Sequence, residues 1–568
     1  MKKSVHRKRK AKSKGVTALL MSLCLVIALW GCGKDEGNIE PYGNTTGYHE
    51  PGLITEQPTI KDENTEATQG MMTNDAMLAD GCYEACEMPY PEYEEGYNTN
   101  EYDDLAENPW LSVANSPLST FGADVDTAAY SQIRSNIMYG YEVVPSQVRI
   151  EEMVNYFHYD FDEPKAGEKF GVHMEYADCP WSDDTKLALI SVNTEAIDFS
   201  EAPASNIVFL IDTSGSMFDS NKLPLVQQAL CMLAENLTEK DTVSIVTYAG
   251  NDEVVLEGAK GNDYYTITKA IEELDAYGST NGSAGINTAY EIAEKYFIKG
   301  GNNRVILATD GDLNVGITSE GELERLITEK KETGVFLSVL GVGYGNYKDN
   351  KLETLADKGN GNYSYIDSIF EAKRALVDNL GANMITVAKD VKLQVEFNPE
   401  NVKGYRLIGY ENRVMAAEDF NDDTKDGGEM GAGHTVTAIY EIALVDSDMD
   451  ISEIDLKYQN TEKDDLIYEE NGKYKDEIFT LSIRYKEPDE DKSSLLTYVC
   501  DTKAYSKAGS DNFRWAAAVA GFGLILKDSE YKGTCDTALV TKLAESCDYE
   551  KDEYKKEFID LVKMYMDM

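Results

Sequence analysis

Between Asn206 and about Leu380, short apolar runs alternate with amphipathic stretches. The runs NIVFLI (206–211), TVSIVTYA (242–249), RVILAT (304–309) and VFLSVLGVG (335–343) are almost wholly apolar. That composition suits strands covered on both faces, as in a parallel sheet. Between the first two runs, Leu223, Val226, Leu230, Leu233 and Leu237 recur at three- and four-residue steps and make one apolar helix face. The pattern predicts a doubly wound, mostly parallel α/β domain over 201–385. Its ligands should meet the carboxyl ends of the strands.

The flanks read differently. Order begins near Pro109, and Leu118–Thr127 reads as a strand running into a helix cap, with Asp126 or Thr127 doing the capping. Helices are expected at Ala128–Met138 and Ser146–Phe157, the second marked by Val148, Ile150, Met153, Val154 and Phe157. Strands follow at Phe170–Tyr176 and Leu187–Val192. After residue 386 the period becomes two: Val391, Leu393, Val395 and Phe397 alternate, as do Thr435–Tyr440 and Phe479–Tyr485, so this part is mostly antiparallel β. Asp422–Gly433 is a polar, Gly-rich loop. From about Asn512 the chain turns helical, starting with FRWAAAVAGFGLILK. The expected organisation is a small N-terminal α/β region (109–200), the α/β domain, a β-rich region (386–490) and a helical end (491–568). If the early strands pair with the later ones, the α/β domain is an insertion in a sandwich.

Charge narrows the function. The 568 residues carry a net charge of −49, which excludes a broad basic surface for nucleic-acid phosphates. The one strongly basic stretch, MKKSVHRKRKAKSKG, precedes an apolar run, VTALLMSLCLVIALWG, and then Cys32. The run is short for a membrane helix, which needs roughly 20 residues. A basic, an apolar and a small-residue section in that order are the parts of an export signal (1–31). Leu29-Trp30-Gly31-Cys32 resembles the lipobox of bacterial lipoproteins, with Trp30 an unusual residue in it. The resemblance implies a lipid on Cys32 and a chain anchored in the cell membrane, facing outside the cytoplasm. Residues 33–108 hold 19 acidic and two basic side chains and no sustained apolar period, so 32–108 reads as a disordered tether. Cys82 and Cys86 lie in it without the further ligands a zinc site needs. Cys231 falls on an apolar helix face and reads as a small core residue.

The chemistry concentrates at strand ends. The first run stops in Asp212-Thr213-Ser214-Gly215-Ser216, Thr280 sits in Gly278-Ser279-Thr280-Asn281-Gly282, and Asp310 follows the third run in Asp310-Gly311. In a doubly wound sheet all three loops open on one edge. Ser214, Ser216 and Thr280 offer neutral hydroxyl oxygens, and Asp212 and Asp310 offer charge. That set suits a hard divalent cation, Mg²⁺ first and Mn²⁺ or Ca²⁺ as alternatives. A cation held mostly by neutral oxygens keeps much of its field and favours one further anionic oxygen from another molecule. Singly, the serines could cap a helix and Asp310-Gly311 could be a turn.

Together, Asp212, Ser214, Ser216, Thr280 and Asp310 resemble the metal-ion-dependent adhesion site (MIDAS) of von Willebrand factor type A (vWA) domains, and the surrounding run of elements resembles that fold. Pro117–Phe121 with Asp124–Thr127, Arg149–Phe157, Arg406–Arg413 and Gly431–Ala438 extend the likeness to bacterial vWA lipoproteins of the YfbK-like group, over 109 to about 568. The resemblance implies metal-dependent binding of a protein partner through an Asp or Glu carboxylate, and no catalysis. An envelope scaffold whose metal merely stabilises the loops is the alternative, with a metal-dependent hydrolase behind it. The sequence has no His-Glu-x-x-His and no Gly-x-Ser-x-Gly, and only five histidines. Asp124-Val125-Asp126 resembles the aspartate pair of haloacid-dehalogenase-like phosphatases, but Ala128 stands where that family needs Thr or Val.

Overall fold

A computed structural model describes residues 105–568 apart from 198–201, 278–281, 312–319, 345–348, 426, 453–472 and 489. The signal segment, Cys32, nearly all of the acidic tether with Cys82 and Cys86, and Thr280 therefore lie outside the described residues.

The α/β domain is a six-stranded sheet in the spatial order Tyr363–Tyr365, Phe336–Gly341, Asn302–Thr309, Ser205–Asp212, Thr242–Tyr248 and Asp252–Lys260. All pairings are parallel except the last. Every residue of Ser205–Asp212 is buried, which is why that stretch is apolar without alternation. One face packs the Leu223–Ala234 helix through Val226, Leu230 and Leu233; the other packs Ile286, Ala289 and Ala293 of the Gly282–Lys295 helix. Chain order reverses between Ser205–Asp212 and its neighbour Asn302–Thr309: later strands add outward from each in opposite directions. That gap is the topological switch point, where the loops diverge and leave a crevice.

The regions 109–200 and 386–490, separated along the sequence by the α/β domain, share two antiparallel sheets. In one, Phe170–Asp178 and Lys186–Thr194 pair with each other, and the second pairs with Thr435–Leu444, which pairs with Val402–Ile408. In the other, Leu118–Gly122 lies beside Thr386–Phe397, followed by Glu477–Lys486. Side chains of both sheets, among them Ile190, Tyr440, Tyr405, Phe121, Val395 and Leu481, fill one core. The α/β domain thus interrupts a sandwich.

Three expectations need correction. The segment 491–568 does not begin helical: Ser494–Asp501 is an edge strand paired to Glu477–Lys486. Most of its residues are exposed or half-exposed, so no clean apolar alternation marks it. The helix foreseen at Ser146–Phe157 is α-helical only over Ile150–Asn155, because Val148 and Arg149 are extended. Neither Asp126 nor Thr127 caps the Ala128–Tyr139 helix. Asp126 Oδ1 instead accepts from the backbone N–H of Tyr363 at 2.9 Å, and the Thr127 hydroxyl accepts from Arg374. The free N–H of Ala129 donates to Glu152 Oε2 at 2.8 Å.

The chain ends in helices Asp511–Leu526, Thr537–Glu545 and Glu553–Asp567. The first is buried almost all round, with Trp515 against Phe157 and Phe558. Among the described residues no helix is long and apolar enough to cross a membrane. Cys179, Cys231, Cys500, Cys535 and Cys547 are free thiols. Cys231 is half-buried against the α/β core, and burial pushes its thiol up to about 11, which removes its nucleophilic form at neutral pH.

Candidate metal centre

Asp212 closes the central strand, and Asp310 follows the neighbouring one. The register pairs Ile211 with Ala308, so both aspartates emerge at the carboxyl edge of the switch point. Asp212 is fully buried and Asp310 is 7% exposed. Asp212 Oδ1 accepts from the Ser214 backbone N–H at 2.9 Å, and its Oδ2 from the Thr309 hydroxyl at 3.2 Å. These bonds aim the carboxylate into the turn. Burial raises the Asp212 carboxyl to about 6, and the charge of Asp310 adds to the rise against the hydrogen bonds from Ser214. The anion is thus costly as it stands, a condition that a cation would relieve.

The serines do not serve as caps. Ser214 precedes a short 3₁₀ turn, Gly215–Phe218, without capping it through its side chain, and its Oγ lies 3.0 Å from Ser216 Oγ. Two hydroxyls from one tight turn therefore face each other beside Asp212. Asp310 Oδ1 is buried and, among the described residues, has no hydrogen-bond partner. An orphaned carboxylate oxygen next to paired hydroxyls fits a hard cation. Among the described residues no three His, Cys, Asp or Glu cluster as metal ligands, so a cation at this place would need hydroxyl oxygens as well.

The structure thus brings together Asp212, Ser214, Ser216 and Asp310 on one strand edge. Thr280 lies outside the described residues, but the chain entering its loop is tied to the site: the Tyr277 N–H donates to the Thr213 carbonyl at 2.8 Å. Sequence reasoning missed two participants. Thr309 orients Asp212. Lys222 donates to Asp310 Oδ2 and to the Ser216 carbonyl, both at 3.0 Å, and its stem packs on Gly343. It is the first cation after Ser216 in the loop Asp219-Ser220-Asn221-Lys222, the signal that could have exposed it. Its ammonium balances Asp310 and competes with any metal for it. Lys222→Ala is expected to tighten Mn²⁺ or Mg²⁺ binding by roughly tenfold, as read by calorimetric titration. Unchanged or weaker binding would remove Lys222 from the site.

The chain matches three family models: von Willebrand factor over 96–189, von Willebrand factor type A domain over 206–379, and Uncharacterized protein YfbK, C-terminal, over 382–568. It is 40% identical over 474 residues to Uncharacterized protein YfbK of Escherichia coli (strain K12), spanning 82% of this chain and 81% of that protein. The chain belongs to the YfbK family of vWA proteins. Uncharacterized protein sll0103 of Synechocystis is 30% identical over 186 residues, 32% of this chain and 42% of that one. Among solved structures, a von Willebrand factor type A protein from Catenulispora acidiphila covers 70% of this chain and 89% of its own, at 15% identity and a TM-score of 0.37. Proximal thread matrix protein 1 of the mussel byssus, with a zinc-occupied MIDAS motif, covers 33% and 46% at 21% identity and a TM-score of 0.27. In this chain the segment that matches the vWA model carries the switch-point cluster, and the flanking matches coincide with the sandwich and the helical end.

Proposed function

We propose that this chain is a membrane-anchored, extracytoplasmic binding protein whose vWA domain holds a divalent cation, Mg²⁺ by preference, and captures an Asp or Glu carboxylate of a protein partner. The observation that carries the reading is the buried, unpartnered Oδ1 of Asp310 beside the facing hydroxyls of Ser214 and Ser216 at the switch point. Asp212, Ser214, Ser216, Asp310 and Thr280 are the residues that would hold the ion. A donor set this rich in neutral oxygen leaves the cation electrophilic toward an outside anion. Exposed Phe218, on the turn that carries Ser216, and Tyr277, before the Thr280 loop, offer apolar area around such a contact. Anchoring rests on Cys32 and the basic-then-apolar segment before it, which would place the domain outside the cytoplasm at the end of the acidic tether.

The strongly acidic chain must accept an acidic group. Screening makes this tolerable, since the Debye length is about 8 Å at physiological salt and metal contact acts inside it. A metal that merely stabilised the loops is disfavoured by Lys222, which already neutralises Asp310 without one. The test is capture of partners from envelope extracts by the full chain, with and without chelator. Metal-dependent capture that free carboxylate competes away is expected. Identical capture in chelator would overturn the mechanism, and a metal that raises the melting temperature without any capture would leave the scaffold.

A further inference from the structure

The helix Asp349–Lys358 carries Asp349, Glu353 and Asp357 at four-residue steps, on one face. That face lies against Arg149 and Arg413, which the flanking regions contribute. Arg149 reaches Asp349 Oδ2 at 2.8 Å, Glu353 Oε2 at 2.9 Å and Glu152 Oε1 at 3.4 Å. Arg413 reaches Asp357 Oδ2 at 2.6 Å, Glu353 Oε1 at 3.1 Å, Asp124 Oδ2 at 3.2 Å and Asp126 Oδ2 at 3.3 Å. Six carboxyl groups thus meet two guanidiniums. Neutral donors add what they can: Gln132 and the Tyr363 hydroxyl each donate to Asp349 Oδ1 at 2.6 Å, and Asn412 donates to Glu353 Oε1 at 2.8 Å. Beside them Glu151 faces Glu411, whose own partner is Lys527 at 3.0 Å. Among the described residues the ion pairs of these six carboxyls run to Arg149 and Arg413.

Fully ionised, such a seam repels itself: Asp126, Glu152, Asp349 and Glu353 are buried, and only Asp124 and Asp357 are partly open to solvent. The carboxyls of Asp124 and Asp357 converge on one nitrogen of Arg413, Nη1, at 3.2 and 2.6 Å, so two negative groups share a single NH₂ group. We propose that this seam is a proton-operated latch between the vWA domain and the sandwich, closed while it keeps its protons and loosened as they leave. It is independent of the metal centre and does not rest on the adhesive reading.

The titrations agree with the geometry. Burial, with neighbouring carboxylates opposing the arginines, raises Asp124 to about 7, Glu353 to about 7 and Glu152 to about 8; burial also raises Asp126 well above its ordinary range. Raised carboxyls mean that the folded state binds more protons than the unfolded chain. Their stabilisation is complete below the ordinary carboxylate range and is lost as pH climbs through about 7 to 8.

The test is amide hydrogen exchange on the full chain at pH about 5.5 and about 8.5, corrected for intrinsic rates, with Thr242–Tyr248 as the internal reference strand. Protection of 349–358 should fall about tenfold more than that of the reference. Asp124→Asn and Asp357→Asn each remove one titrating charge from the seam while leaving an oxygen for Arg413. Either variant should cut that ratio to about a third or less. If helix and reference lose protection equally, or if both amide variants keep the wild-type ratio, the latch does not exist.

Discussion

Asp212→Ala is expected to weaken Mg²⁺ or Mn²⁺ binding by on the order of 100-fold or more, while the metal-free melting temperature moves by no more than about 3 °C. The two parts of the result have one cause. Asp212 is desolvated and faces a second carboxylate, so without a cation its charge contributes little to folding. What the fold loses is an acceptor for the Ser214 N–H and the Thr309 hydroxyl, about 1 kcal/mol each. What the cation loses is one of two negative groups and the orientation of the serine turn. Calorimetric titration and thermal melting on the same preparation read both. Affinity within about threefold of wild type would show that the ion, if it binds, binds elsewhere.

Arg134→Ala should be the most destabilising single truncation, costing about 3–5 kcal/mol in urea unfolding. Arg134 is wholly buried on the Ala128–Tyr139 helix and joins three parts of the chain. Its Nε and Nη2 hold both oxygens of Asp367 at 2.8 and 2.5 Å, and Nη2 also meets Glu371 at 2.9 Å. Nη1 donates to the Tyr156 hydroxyl at 2.7 Å and lies 3.3 Å from Glu557 of the last helix. Burial alone would raise Glu371, but Arg374 and Arg134 hold it below its usual range. Truncation leaves Asp367 and Glu371 buried with one guanidinium between them. A cost under about 1 kcal/mol would mean that the helices and the vWA domain are not coupled through this residue.

The vWA strands were readable because complete burial strips them of polar positions, and the two aspartates of the metal motif because adjacent parallel strands of a doubly wound sheet end on one edge. Asp212, Ser214, Ser216 and Asp310 follow from that geometry alone. Lys222 does not, since nothing local distinguishes it from a solvated lysine until Asp310 and Gly343 are in place. The same limit explains Asp126 and Thr127. Their types suit a cap, yet both are drawn to Tyr363 and Arg374, more than two hundred residues away. Long-range charge recruitment overrode a local propensity. The carboxyl seam was hidden for that reason too: Arg413, Asp124 and Asp357 belong to three separate segments. Ser494–Asp501 escaped notice because an edge strand open to solvent need not alternate.

Anomalous diffraction from crystals of the chain soaked in Mn²⁺ tests the central claim most directly. One manganese peak is expected in contact with the hydroxyls of Ser214 and Ser216, with Oδ1 of Asp310 turned toward it and the Lys222 ammonium displaced. A peak elsewhere, or an undisturbed Lys222–Asp310 pair at saturating Mn²⁺, would contradict it.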